Sequence, residues 1–129
     1  MSNMKTPGKG LAFVIEDEYD LATLFARAID GPNMEVLTLR AGDVALQVLK
    51  QAEVAPDVVV LDLSLPRVSG VEILKYLRGD DKFAHTKVII ATAYPEMAKS
   101  VRDSADMVLA KPLSYHELKD AAKELVVPK

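Results

Sequence analysis

Several apolar runs in this sequence stop at side chains that can carry charge or donate a proton. Glu16, Asp17 and Glu18 follow Leu11 to Ile15, Asp62 interrupts Val58-Val59-Val60-Leu61-Asp62-Leu63, Thr92 follows Val88 to Ala91, and Lys111 follows Met107 to Ala110. Each has an ordinary reading when taken singly. An acidic triplet is usually a solvated loop, a strand threonine is usually structural, and a lysine before proline is usually a surface turn. Asp62 resists such a reading, because an ionised carboxylate inside an apolar stretch is costly without a partner. A lysine at the same rim as three carboxylates has an electrostatic reason to point inward. Together these residues describe an acidic crevice holding one ammonium and one hydroxyl, provided the fold brings the run ends together.

The elements needed for that are legible in the periodicity. Leu11 to Ile15 is a short continuous apolar run, the pattern of a strand buried on both faces. After it, Leu21, Leu24, Phe25, Ala28 and Ile29 fall at helical spacing and Gly31-Pro32 closes the segment, which predicts a helix with one buried stripe. The alternation continues with a strand over Glu35 to Leu39, a helical stripe of Val44, Ala45, Val48, Leu49 and Ala52, and a strand over Val58 to Leu61. Ser69 to Glu72 and Ser114 to Glu117 have the S-x-x-E form of a capping box, each followed by an apolar helical stripe. Between those helices lie strands at Val88 to Ala91 and Met107 to Ala110, and a short helix opened by Pro95 with Met97, Ala98 and Val101 on its apolar face.

Repeated strand-helix units predict an α/β fold, because right-handed crossovers cover both faces of a parallel sheet. Five such units are too few for an eight-stranded barrel and favour a doubly wound, flavodoxin-like five-stranded parallel sheet in the order 2-1-3-4-5 with five helices. In that fold every strand's carboxyl end lies at one edge, and the ligand crevice opens beside the first and third strands. Glu16, Asp17, Asp62, Thr92 and Lys111 are therefore expected to converge there without any sequence-local motif.

Composition narrows the remaining choices. The 129 residues are half hydrophobic, enough for one core without disulfides, and the absence of cysteine removes any Cys-ligated metal site. A formal charge of -3 gives no support to nucleic-acid binding, which needs clustered Lys and Arg. The apolar runs are strand-sized, so neither a membrane span nor an export signal is expected, and a cytoplasmic setting suits the composition. Residues 1–10 read as a flexible lead-in and residues 11–129 as the domain. His85 and His116 are too few and too isolated for a metal triad, and no phosphate-cradling glycine string opens a helix.

In the order and placing of its motifs the chain resembles the response-regulator receiver family of two-component signalling. The resemblance runs through Phe13-Val14-Ile15-Glu16-Asp17-Glu18, Val60-Leu61-Asp62-Leu63-Ser64-Leu65-Pro66, Gly70, Ile90-Ala91-Thr92-Ala93 and Lys111-Pro112, and covers about Leu11 to Val126. It implies that Asp62 accepts a phosphoryl group with help from Thr92 and Lys111. It also implies that Asp17, Asp62 and the backbone carbonyl of Ser64 ligate Mg²⁺, and that Glu16 acts through metal-bound water. Mg²⁺ prefers oxygen ligands and retains several waters, so such a set leaves room for phosphoryl oxygens. A histidine kinase or phosphotransfer protein is the implied donor, and a downstream protein partner reading the face formed by the fourth helix, fifth strand and fifth helix is the implied output. The same resemblance implies a cis bond between Lys111 and Pro112.

Two other functions compete. An aspartate phosphatase would also use Asp62 as nucleophile, but such enzymes place a second acid two residues later, where this chain has Ser64. A degenerate docking domain would lack part of the acid pair, acceptor, threonine and lysine set, all of which are present. Two departures from the family pattern fall on the output face. Val108 stands where many members carry a rotating Tyr or Phe, and the stretch from Thr92 to Lys111 is shorter by about one helical turn.

Overall fold

A computed structural model describes residues 8–125. Strands and helices alternate through β1 (Gly10–Ile15), α1 (Tyr19–Ile29), β2 (Met34–Leu39), α2 (Gly42–Gln51), β3 (Val58–Leu61), α3 (Gly70–Gly79), β4 (Lys87–Thr92), α4 (Pro95–Ala98), β5 (Met107–Ala110) and α5 (Tyr115–Leu125). All strand pairs are parallel and the order is β2-β1-β3-β4-β5, as the alternation predicted. The strand β1 already includes Gly10, inside the stretch read as lead-in, while residues 1–7 lie outside the described residues.

Register aligns the chemistry. Ile15 lies opposite Leu61, which lies opposite Ile90, so Glu16 and Asp62 leave the sheet at the same height. Thr92 lies opposite Ala110, which puts Lys111 beside it, and the Lys111 N–H donates to the Thr92 carbonyl at 2.8 Å. Two cores sandwich the sheet. Phe13, Ile15, Leu61 and Ile90 pack with Leu49, Ile73, Leu74 and Leu77 on one face, while Ala12, Val14, Val58 and Val60 pack with Phe25, Ala28 and Leu118 on the other. This two-residue alternation within β1 and β3 makes each strand apolar throughout.

The helices follow the expected stripes with informative shifts. In α1, Ala22, Phe25, Ala28 and Ile29 are buried while Leu21 and Leu24 are only partly so, so the buried stripe is rotated toward Ala22. Val44, expected inside, is 48% exposed, since Gly42, Ala45 and Leu49 form the buried face of α2. Ser114 makes the full capping box, with Glu117 N–H donating to Ser114 Oγ at 3.1 Å and Ser114 N–H donating to Glu117 Oε1 at 3.0 Å. At α3 the Glu72 N–H donates to Ser69 Oγ at 3.3 Å. A Cβ on Gly70 would lie 2.1 Å from the Asp62 carbonyl oxygen, so only glycine lets α3 start this close to the end of β3.

The helix α4 is a single turn, with Pro95 at its start, and Met97, expected on its apolar face, is 40% exposed. Its brevity leaves the crossover to β5 without a long α-helical ladder, and only a short 3-10 turn at Arg102–Ser104 follows it. Arg78 at the end of α3 braces that crossover, donating to the carbonyls of Thr86 at 3.0 Å and Ser104 at 2.7 Å and to Asp106 Oδ2 at 2.9 Å. Asp106 in turn accepts from the Val88 N–H at 2.8 Å.

Candidate functional site

The centre of the site is Glu16. It is 1% exposed, although its two acidic neighbours are open to solvent, so the acidic triplet is not a uniform solvated loop. Its Oε1 accepts from Lys111 Nζ at 2.6 Å, and its Oε2 accepts from the Glu18 N–H at 3.1 Å. The same ammonium stands 3.7 Å from Asp62 Oδ2. Asp62 is buried, and its Oδ1 accepts from the Ser64 N–H at 3.1 Å. One oxygen each from Glu16, Asp17 and Asp62 lie within 4.8 Å of one another. The peptide bond between Lys111 and Pro112 is cis.

The Lys111 ammonium stands between Glu16 and Asp62, and the balance shows in the proton affinities of these two carboxyls. Burial pushes the Glu16 carboxyl above its usual range, and Asp62 adds to this, against the opposing bonds from Lys111 and Glu18. Burial also pushes Asp62 up, with Asp17 adding to it, against the Ser64 N–H and the Lys111 charge. A second cation would relieve both groups. The donors are hard oxygens, and Asp17 keeps one side of the cluster open, so the chain's own residues fit a small divalent ion such as Mg²⁺.

Thr92 is fully buried, and its Oγ1 accepts from the Tyr94 N–H at 2.9 Å, which leaves the hydroxyl proton available to donate. Tyr94 stands 59% exposed. Ser64 is exposed, and its Oγ touches Met97 Sδ at 4.0 Å. Every residue predicted from the sequence thus lies at the carboxyl edge of the sheet. Two contacts there carry no sequence expectation. Met97, in the single turn of α4, meets Ser64 of the β3–α3 loop, and Arg40, directly after β2, donates to the Asp17 carbonyl at 3.4 Å. The only sequence signal for Arg40 is its place at a strand's carboxyl end, the same signal that marks Asp62 and Lys111. Among the described residues no helix is long and apolar enough to cross a membrane.

Comparison with known proteins gives a consistent result. Residues 12–123 match the response regulator receiver domain family. The polar-differentiation response regulator DivK of Brucella anthropi is 32% identical over 104 residues, covering 78% of this chain and 83% of that protein. The solved structure of response regulator TrrA from Thermotoga maritima, in complex with Mg²⁺-BeF, is 28% identical with a TM-score of 0.76, covering 91% of this chain and 99% of that one. A CheY-like receiver domain from Methylobacillus flagellatus, 22% identical with a TM-score of 0.77 over 92% of this chain and 99% of that one, shares the fold.

Proposed function

The chain belongs to the response-regulator receiver family, and on that premise we propose that Asp62 is its phosphoacceptor, served by Glu16, Asp17, Ser64, Thr92 and Lys111. The chain is a receiver domain of a two-component response regulator, a family phosphorylated on aspartate with Mg²⁺. The observation that carries the residue assignment is the three-carboxylate cluster with Lys111 reaching both Glu16 and Asp62.

Phosphoryl transfer requires alignment and charge neutralisation more than covalent help. Asp62 attacks phosphorus as the bond from phosphorus to its donor breaks; with phosphohistidine, the departing imidazole nitrogen keeps the electron pair and takes a proton. Lys111 offsets the negative charge on the phosphoryl oxygens, and the Thr92 hydroxyl donates to one of them. The Ser64 N–H holds Asp62 Oδ1, so Oδ2, which faces the Lys111 ammonium at 3.7 Å, is the oxygen that attacks. Asp17, Asp62 and the backbone carbonyl of Ser64 would hold Mg²⁺, and Glu16 would serve it through water. When bound, Mg²⁺ neutralises the crowded carboxylates and the incoming phosphoryl group.

The donor in this reading is a histidine kinase or phosphotransfer protein in the cytoplasm, and residues 11–129 act as one unit. A downstream partner reads the face formed by α4, β5 and α5. With Val108 in place of a rotating ring, the Thr92 hydroxyl drawing the Tyr94 loop toward the phosphoryl oxygens supplies the displacement. Incubation with acetyl phosphate and Mg²⁺ should add one acid-labile acyl phosphoryl group, read by intact-mass spectrometry, and chelation by EDTA should prevent it. No incorporation in the presence of Mg²⁺ would overturn the proposal. Tyr94, large and exposed at the mouth, should also obstruct water approaching the acyl phosphate. Tyr94→Ala is expected to speed autodephosphorylation severalfold, and an unchanged or slower decay would remove that role.

A further inference from the structure

We propose that Arg40 is a positioning residue for the metal site, clamping the β1–α1 loop so that the Asp17 carboxylate stays turned to the crevice. The inference rests on the reading of Asp17 as a metal ligand. Asp17 is the exposed member of the carboxylate cluster, and beside it the Glu18 N–H is tied back to Glu16 Oε2 at 3.1 Å. Glu18 is the N-cap of α1, with φ -78 and ψ 120, yet its side chain makes no capping bond. A capping oxygen would ordinarily tie the loop to the first helical turn.

Arg40 supplies the tie from the next strand. Its Nη2 donates to the Asp17 carbonyl at 3.4 Å, and its guanidinium carbon lies 5.1 Å from the centroid of the Tyr19 ring. These two residues flank Glu18, so one side chain grips the helix start from both sides. The register delivers it there: Leu39 lies opposite Ile15, and its carbonyl accepts from the Glu16 N–H at 3.0 Å, which brings the next residue alongside Asp17. A planar guanidinium can stack on a ring and donate in its own plane at once, whereas an ammonium has no such plane.

Positioning and charge give opposite signs for the same substitution. Removing a positive charge near a cation site strengthens cation binding, and removing a clamp on a ligand weakens it. The test is Mg²⁺ titration of the wild type, Arg40→Ala, Arg40→Lys and Asp17→Asn, followed through the amide resonances of Asp62 and Lys111, with thermal melts of each protein in EDTA. Arg40→Ala should weaken Mg²⁺ binding about three- to tenfold, below the range typical of fully buried outer-shell partners. Arg40→Lys should remain weakened although it keeps the charge, and melting temperatures of both should stay within about 2 °C of wild type. Unchanged or tighter binding by Arg40→Ala would overturn the clamp, as would wild-type affinity in Arg40→Lys. If Asp17→Asn binds Mg²⁺ as tightly as wild type, the ligand assignment falls, and the clamp falls with it. If Asp17→Asn loses binding while Arg40→Ala does not, the clamp alone fails.

Discussion

Asp62→Asn is expected to abolish phosphoryl incorporation from acetyl phosphate and, at the same time, to stabilise the metal-free fold near pH 8. Loss of labelling follows because asparagine has no carboxylate oxygen to attack phosphorus, while Thr92 and Lys111 remain in place. The gain in stability follows from the company Asp62 keeps. It is buried beside Glu16 and Asp17, and the Lys111 ammonium must serve the whole cluster. Asparagine retains an oxygen for the Ser64 N–H and removes one unit of like charge. The expected gain is on the order of 1 kcal/mol, or about 4 °C in melting temperature.

The pH dependence fixes the sign. The folded-state pKa of Asp62 is raised, chiefly by burial, above its usual value of 3.8. Below that value the carboxyl is protonated in both states and costs the fold nothing. As pH rises from there through the raised folded value, the unfolded chain binds fewer protons than the folded one, and wild-type stability falls relative to the variant. The stability gap between variant and wild type should therefore open with rising pH and then level off, and saturating Mg²⁺ should narrow it by stabilising the wild type. Equal labelling of the two proteins would refute the acceptor assignment. A gap that closes with rising pH would refute the electrostatic account.

Much of the fold and of the site is legible in the sequence, for a physical reason. A parallel sheet buried on both faces needs continuous apolar runs, and each run must end where the chain turns into solvent. Chemistry placed at those ends is therefore marked by contrast, as Asp62 is after Val58-Val59-Val60-Leu61. The strand order and the meeting of Glu16, Asp62, Thr92 and Lys111 follow from that contrast and from the rules of crossover handedness.

The rest is set by packing in three dimensions. Periodicity places Val44 and Met97 on apolar faces, but it does not say how far a helix leans, and both are substantially exposed. Glu16 and Glu18 are chemically alike in sequence, but Lys111, just past β5, reaches the buried Glu16 while Glu18 is left to solvent. The contact of Arg40 with Asp17 joins residues 23 apart that follow neighbouring strands, and no local pattern encodes it. The work of Arg78 at the short crossover is similarly silent, since it serves three acceptors on separate segments.

Lys111→Met is expected to cost the fold about 2–3 kcal/mol at pH 8 and to slow phosphorylation by about a hundredfold. Methionine preserves the length of the stem but leaves Glu16, 1% exposed, with no cation. Burial already holds the Glu16 carboxyl above its usual range, and Lys111 is the strongest group pulling it back down. Without the lysine its folded pKa rises further. Below the usual value of 4.5, Glu16 is protonated in folded and unfolded chains alike, and the unpaired charge that makes the variant unstable is absent. Above it, the folded variant binds more protons than the unfolded chain, so its stability declines as pH rises until the raised folded value is passed. Urea denaturation at a series of pH values should show the deficit growing in that direction. Glu16→Gln combined with Lys111→Met removes the stranded charge and should recover most of the lost stability, but none of the lost phosphorylation rate, because the phosphoryl oxygens still lack their ammonium. If the double variant is no more stable than Lys111→Met alone, the buried charge is not what Lys111 holds in check. If Lys111→Met takes up phosphate at the wild-type rate, its ammonium does not serve the transfer.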